Sequence, residues 1–265
     1  MSVIMGIVNV TPDSFSDGGR HLDPDAAVAH ALTLRGQGAD IIDVGGESTR
    51  PGAERVAPEI ERERVLPVVS ALAAHGLPVS IDTMDAGTAA AAIAAGASLV
   101  NDVSGGLADP EMFAAVAATD AEIAIGHWRG HSADMYADAH YDDLAGEVVA
   151  ELRQRVAAAT AAGIDPGRIV LDPGIGFGKR GEQNWALLRR LDRIVALGPR
   201  VLVGTSRKGF LRDALGDEPE PWRRDAATAV TSVLAADAGA WGVRVHDVAA
   251  TRDALAVRRL WRGDA

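Results

Sequence analysis

The chain contains no cysteine. That excludes disulfides, thiolate metal sites and cysteine nucleophiles, and it fits a reducing, cytoplasmic setting. A basic excess is also missing: the 265 residues carry a formal net charge of −11. Nucleic acid is excluded as a partner on that balance, because binding a phosphate backbone needs Lys and Arg gathered on one face. A small phosphorylated ligand is not excluded, since a few focused cations override a global charge at short range. Long hydrophobic runs are absent too. The longest apolar tract, residues 89–100, is broken by Gly96 and Ser98, and falls short of the roughly 20 residues that span a bilayer. Residues 1–8 have neither the basic stretch nor the cleavage site of a secretory leader. A soluble protein with no membrane partner is expected.

What is present is ordinary for a globular enzyme: 48% hydrophobic and 24% charged residues. Short apolar, β-branched runs recur at 3–10, 41–44, 79–81, 99–101, 122–125, 168–171, 200–203 and 242–245. Such continuously apolar runs suit strands buried on both faces. Between them lie helical patterns at 24–37, 58–74, 85–95, 110–118, 141–162, 182–197, 225–238 and 249–262, with a solvated loop at 216–221. Asp23 before Pro24 and Asp109 before Pro110 are helix-start signals. Eight strand–helix pairs without hairpins imply a parallel sheet with right-handed crossovers. Eight units, a length near the usual barrel size of about 250 residues, and no G-x-G-x-x-G after the first strand favour an α/β (β/α)8 TIM barrel over an open doubly wound sheet. Residues 1–265 read as one domain.

A barrel of this kind keeps its chemistry at the C-terminal ends of its strands. There the sequence places Asn9, Asp43, Asp82, Asn101 with Asp102, His127, Asp172, the run Ser206, Arg207 and Lys208, and Arg244 with His246. One such carboxylate is more often a helix cap than a functional group. Eight polar strand ends together are poorly explained that way. The loop after the first strand joins Pro12, Asp13 and Phe15 to a Gly18–Gly19 pair, the makings of a lid. The loop after the second sets Thr49, Arg50 and Pro51 beside glycines, and can offer backbone N–H groups and a guanidinium to an anion. A third glycine-rich loop carries Phe177. The seven histidines show no zinc-binding spacing. Mg²⁺ held mainly by substrate phosphates needs only one or two protein oxygens, for which Asn9 or a nearby carboxylate serves. His127 reads as a hydrogen-bonded structural residue.

Seven motifs, GIVNVTPDSFSDGG at 6–19, DVGGESTRPGA at 43–53, SIDT at 80–83, NDVSGG at 101–106, DPGIGFGK at 172–179, GTSRK at 204–208 and RVHDV at 244–248, resemble those of the dihydropteroate synthase family in order and over nearly the whole chain. The resemblance implies condensation of a dihydropterin methyl diphosphate with p-aminobenzoate in folate biosynthesis, with pyrophosphate released. It also implies Mg²⁺, a homodimer and sensitivity to sulfonamides. Asp82, Asn101, Asp172 and Lys208 would then hold the pterin. Asn9, Thr49, Arg244 and His246 would handle the pyrophosphate, Asn9 also touching the metal, with Asp43 nearby. Thr49, Arg50, Pro51, Phe177, Ser206 and Lys208 would form the p-aminobenzoate subsite, and Asp13 and Phe15 would join on loop closure. Asp13, Lys208, Arg244 and His246 are the expected catalytic groups.

Two departures from the family pattern stand out. Gly126 takes the place of a methionine expected against the pterin, which implies a looser pocket or a neighbour filling it. The chain also starts close to the first strand, so a barrel floor plugged differently, or left more open, is expected. Two rival readings share much of this. A corrinoid-type pterin-binding methyltransferase domain has no use for the anion contacts at 48–51, 206–208 and 244–246. A non-catalytic pterin-binding paralogue would have lost residues such as Asp13, Phe15, Thr49, Arg50, Lys208, Arg244 and His246.

Overall fold

The computed structural model describes residues 2–11, 23–48, 55–131, 136–137, 139–216 and 219–263. Eight parallel strands close into a barrel in sequence order: β1 (Val3–Asn9), β2 (Ile41–Gly45), β3 (Val79–Asp82), β4 (Leu99–Asp102), β5 (Glu122–Gly126), β6 (Ile169–Asp172), β7 (Arg200–Val203) and β8 (Gly242–Val245). The (β/α)8 expectation holds. Register aligns the polar strand ends: Asn9 lies opposite Gly45, Gly45 opposite Asp82, Asp82 opposite Asn101, and Gly126 opposite Asp172. Partners in register face the same side of a sheet. Asn9, Gly45, Asp82 and Asn101 therefore share one line of register around the barrel interior, which runs on through Ala124 and Val170, and Asp172 lies on the same side two residues further along β6.

Alternate residues of the same strands divide between two cores. Val8, Ile42, Val44, Val79, Ile81, Val100, Ile123, Ile125, Leu171, Val203 and Val243 join the large cluster beneath the helices. Met5, Leu99, Ala124, Val170 and Leu202 form a separate cluster inside the barrel, with Ile41 and Trp241 packed against it. That inner cluster closes the floor. Below it Arg200 pairs with Glu122 at 2.8 Å and lies over the Trp241 ring. The floor is thus filled by the strands' own side chains, not left open.

The helices are α1 (Pro24–Gln37), α2 (Pro58–Ala74), α3 (Ala86–Ala94), α4 (Met112–Ala117), α5 (Leu144–Ala161), α6 (Glu182–Leu188), α7 (Leu191–Val195), α8 (Arg212–Leu215), α9 (Pro221–Asp237) and α10 (Val248–Arg262). Asp23 caps α1 by accepting from the Asp25 amide, with Pro24 at the first helical position. Asp109 does something else. Its carboxylate accepts from Glu111 N and Ala86 N, tying the turn before α4 to the start of α3, and α4 begins only at Met112. The single helix expected at 182–197 is two, because Arg190 N closes back onto Leu187 O, ending α6 while Leu187, Leu191 and Ile194 all stay buried. The strand expected to start at Arg168 starts at Ile169, after a 3-10 turn at Pro166–Arg168. The helix expected from 225 starts at Pro221, again a proline at the first position.

Candidate active site

Arg244 stands at the centre of the polar layer. Its Nε donates to Asp43 Oδ2 and its Nη2 to Asp82 Oδ2, both at 2.6 Å. Asn101 Nδ2 donates to the same Asp43 oxygen at 3.1 Å. Side chains from β2, β3, β4 and β8 thus meet directly. Asp43 corrects the sequence reading, which set it at a strand end. β2 runs on to Gly45, so Asp43 lies two residues deeper and is fully buried. Its other oxygen, Oδ1, has no hydrogen-bond partner among the described residues. Arg244, expected at a strand end to handle the pyrophosphate, is likewise drawn inward by these two acids.

On the far side of the layer, Asp172 Oδ1 accepts from Gly174 N at 2.7 Å. Lys208 is near: Asp172 Oδ2 and Lys208 Nζ both flank Gly204, each 3.9 Å from where a side chain would begin there. Lys208 Nζ also donates to the Ile175 carbonyl and lies 4.5 Å from the centroid of the Phe177 ring, a cation–π contact. Ser206 Oγ accepts from His246 N at 3.1 Å and meets His246 Nδ1 at 2.8 Å. Ser206 Oγ thus holds His246 through both its backbone N–H and its ring. Between Ser206 and Lys208, Arg207 has φ 57°, a left-handed conformation rare outside glycine. It is held by two bonds to Asp225, at 2.7 and 2.9 Å, and by Thr228 on its backbone N–H.

Burial dominates the electrostatics. It pushes Asp82 up to about 7, against the opposing pull of Arg244 and with help from Asp43. It raises Asp172 as well, opposed by Lys208 and the Gly174 amide. Lys208 is pushed down to about 8 by burial, opposed by Asp172. Asp102 differs from its neighbour Asn101. It accepts from Ser104 N, Ser104 Oγ and Gly106 N, all within 2.8 Å, and so anchors the turn after β4. A cavity of about 280 Å³ bounded by Arg55, Val56, Pro58, Met84, Asp85, Ala108 and Asp109 contains none of the polar-layer side chains.

Asp13, Phe15, Thr49, Arg50 and Pro51 lie outside the described residues. Asn9 is half-buried at the end of β1, its backbone laddered to Gly45 of β2. Among the described residues no group of three or more His, Cys, Asp or Glu is placed to hold a metal ion. Gly126 leaves no gap: a Cβ there would lie 2.3 Å from the Val103 carbonyl oxygen, so the backbone after β4 fills the space. His127 is buried and hydrogen-bonded, as expected, to Glu151 at 2.8 Å and to Lys179 at 2.9 Å. Sequence reasoning missed the residues that organise the loop after β6. Asn184 bonds Gly176 N and Lys179 O, and Tyr141 Oη bonds Gly178 O. Of these only Lys179 had a signal, as a lysine closing a glycine-rich motif.

With that geometry in hand, the likeness to known proteins is clear. Residues 5–246 match the family described as pterin binding enzyme. The chain is 53% identical over 263 residues to the dihydropteroate synthase of Mycobacterium leprae, covering 97% of this chain and 93% of that one. Its fold superposes on Xanthomonas albilineans dihydropteroate synthase with 4-aminobenzoic acid at a TM-score of 0.92, with 47% identity and 98% and 93% of the two chains covered. The Yersinia pestis dihydropteroate synthase in complex with a sulfonamide drug gives a TM-score of 0.92 at 39% identity, covering 99% and 94%.

Proposed function

From the premise that this chain belongs to the dihydropteroate synthase family of pterin binding enzymes, we infer how its barrel mouth performs that family's reaction. The chain is a transferase of folate biosynthesis. It joins the methylene carbon of (7,8-dihydropterin-6-yl)methyl diphosphate to the nitrogen of 4-aminobenzoate and releases pyrophosphate. The carrying observation is the buried layer in which Arg244 bridges Asp43 and Asp82 beside Asn101. A reduced pterin presents clustered N–H donors beside a carbonyl. Asp82, Asp172 and Asn101 accept from such donors, while Lys208 and Asn101 donate to the carbonyl. The corrinoid reading is displaced by relatives that share the condensation and its second substrate.

The bond to the leaving group breaks first, its electron pair going to the diphosphate oxygen, and the arylamine nitrogen then attacks the pterin methyl cation and loses a proton. Asp82 and Asp172 stabilise positive charge spread into the ring. Arg244 spends two N–H groups on the acids and has three others to turn toward the departing anion. His246, its ring held at Nδ1 by Ser206, is the further group assigned to the leaving anion. No activated nucleophile is needed, because an aniline nitrogen is nucleophilic as it stands. Phe177, Ser206 and Lys208 border the arylamine subsite, with Thr49, Arg50 and Pro51 assigned there from their motif and Asp13 and Phe15 to the closing lid. Asn9, whose half-buried side chain at the end of β1 carries an amide oxygen, would serve as a protein ligand of Mg²⁺. That ion would neutralise charge on the leaving group.

A second copy of the chain is the partner best suited to the adjoining α9 and α10. Trp222, Val230 and Leu234 on one, and Val257, Leu260 and Trp261 on the other, are exposed, Trp261 at 90%. Exposed large apolar side chains on two adjoining helices support an interface there. No helix among the described residues is long and apolar enough to cross a membrane, and the cysteine-free composition supports a cytoplasmic location. The decisive assay mixes the purified protein with both substrates and Mg²⁺ and measures pyrophosphate. Release dependent on p-aminobenzoate is expected, inhibited by a sulfonamide and restored by excess p-aminobenzoate. Release that ignores p-aminobenzoate would remove the second subsite.

A further inference from the structure

Lys179 is fully buried behind the polar layer, and its ammonium makes three bonds of 2.9 Å: to His127 Nδ1, to the Gly174 carbonyl and to the Phe177 carbonyl. Two of these partners are pure acceptors. If the amine were neutral, its two N–H groups would serve the carbonyls and its lone pair would need a proton from His127 Nδ1. His127 Nε2 would then present a lone pair to Glu151, 2.8 Å away, unless the ring were an imidazolium, and burial together with the neighbouring Lys179 opposes that by pushing His127 down to about 4. Glu151 cannot supply the missing proton, because bonds from His127 and Arg129 hold it down to about 2 despite the opposing effect of burial. A charged Lys179, a neutral His127 protonated on Nε2 and an ionised Glu151 satisfy every contact. This arrangement keeps the proton on Lys179, although burial pushes that group down to about 7.

The loop it grips is the one that faces the substrates. Gly174 N orients Asp172, the Ile175 carbonyl takes Lys208 Nζ, and the Phe177 ring lies beside the same Nζ. Gly176 passes so close to the Lys208 stem that a Cβ would sit 2.9 Å from Lys208 Cδ. Asn184 and Tyr141 hold Gly176 N, Lys179 O and Gly178 O from outside, but neither reaches the Gly174 or Phe177 carbonyls.

We propose that Lys179 is a positioning residue for the arylamine subsite. Its ammonium, braced through His127 by Glu151, fixes the 174–179 loop and so seats Phe177 against Lys208. The proposal rests on the reading that Phe177 and Lys208 border that subsite. Lys179→Met removes the ammonium at nearly constant length, takes the donor from His127 Nδ1 and the Phe177 carbonyl, and leaves the Gly174 carbonyl with the Phe177 N–H alone. The KM for p-aminobenzoate is expected to rise about tenfold or more. The dissociation constant for the dihydropterin diphosphate, set largely by strand residues, is expected to change less than about threefold. Equal loss for both ligands, or an unchanged KM in a folded variant, overturns the proposal. If Lys179→Met does not fold, Glu151→Gln on the partly exposed outer end of the relay takes its place. A rise in p-aminobenzoate KM with unchanged pterin affinity supports the proposal, and no rise overturns it. Phe177→Ala separates this from the underlying reading. Should Phe177→Ala leave p-aminobenzoate KM untouched, the subsite assignment itself is wrong; should it raise KM while the Lys179 and Glu151 variants do not, only the role of Lys179 fails.

Discussion

Two charge networks lie on either side of the loop after β6, and they are finished to different degrees. Behind the loop, Lys179, His127, Glu151, Arg129 and Glu147 form a chain in which donors and acceptors match. In front of it, Asp43, Asp82 and Asp172 face Arg244 and Lys208, three acids to two bases, and Asp43 Oδ1 has no partner among the described residues. Unmatched buried polar groups are costly, so they persist where a ligand completes them. The rear network gives shape. The front one gives recognition.

The largest effect should come from removing the front network's central cation. Arg244→Ala is expected to lower kcat on the order of 10²- to 10³-fold. It also strands two buried carboxylates, destabilising the fold by about 3 kcal/mol, which thermal unfolding would register. Lys208→Ala should lower kcat about 10²-fold with a smaller stability loss. Near-normal turnover in both would erase the distinction between the networks.

Protonation gives a finer probe. Burial raises Asp82 to about 7, ahead of the opposing Arg244, so between roughly pH 4 and pH 7 the folded protein holds a proton that the unfolded chain has lost, and this group's contribution to stability declines as pH rises through that window. Binding has the opposite sign. The carboxylate accepts from pterin N–H donors on both oxygens and more strongly than the protonated acid, so affinity for a dihydropterin lacking the diphosphate should fall by up to about tenfold per unit below about pH 7. Titration calorimetry between about pH 8 and about pH 6 would show it. Asp82→Asn should flatten the curve, and a flat wild-type curve would mean that Asp82 is not an acceptor for the ligand. The smallest effect concerns Gly126, which lies between the networks, before His127 and opposite Asp172. Gly126→Ala would force Val103 to move and should destabilise by about 1–3 kcal/mol, read as a lowered Tm with substrate KM values little changed.

Much of this was legible before any coordinates. Apolar runs gave the eight strands, and polar residues at their ends gave Asn9, Asp82, Asn101 and Asp172 facing one interior. The depth of Asp43 was not legible, because a strand buried on both faces carries no alternation to show which residues point inward. The break between α6 and α7 has no glycine or proline to mark it. Glu151, Tyr141 and Asn184 were invisible for a different reason. Their importance lies in contacts to residues 24, 37 and 8 positions away, and within their own helices or loops they look like ordinary polar side chains.

One backbone torsion narrows the substitutions open to this molecule. At Arg207 the left-handed twist asks for glycine, while Asp225 asks for a guanidinium. Glycine would ease the torsion and unclasp the segment; a β-branched residue would satisfy neither demand. The spacing between Ser206 and Lys208 is therefore guarded by a residue that is second best for its own conformation, and a search for greater thermal robustness at this position would trade against the fit of the two substrates.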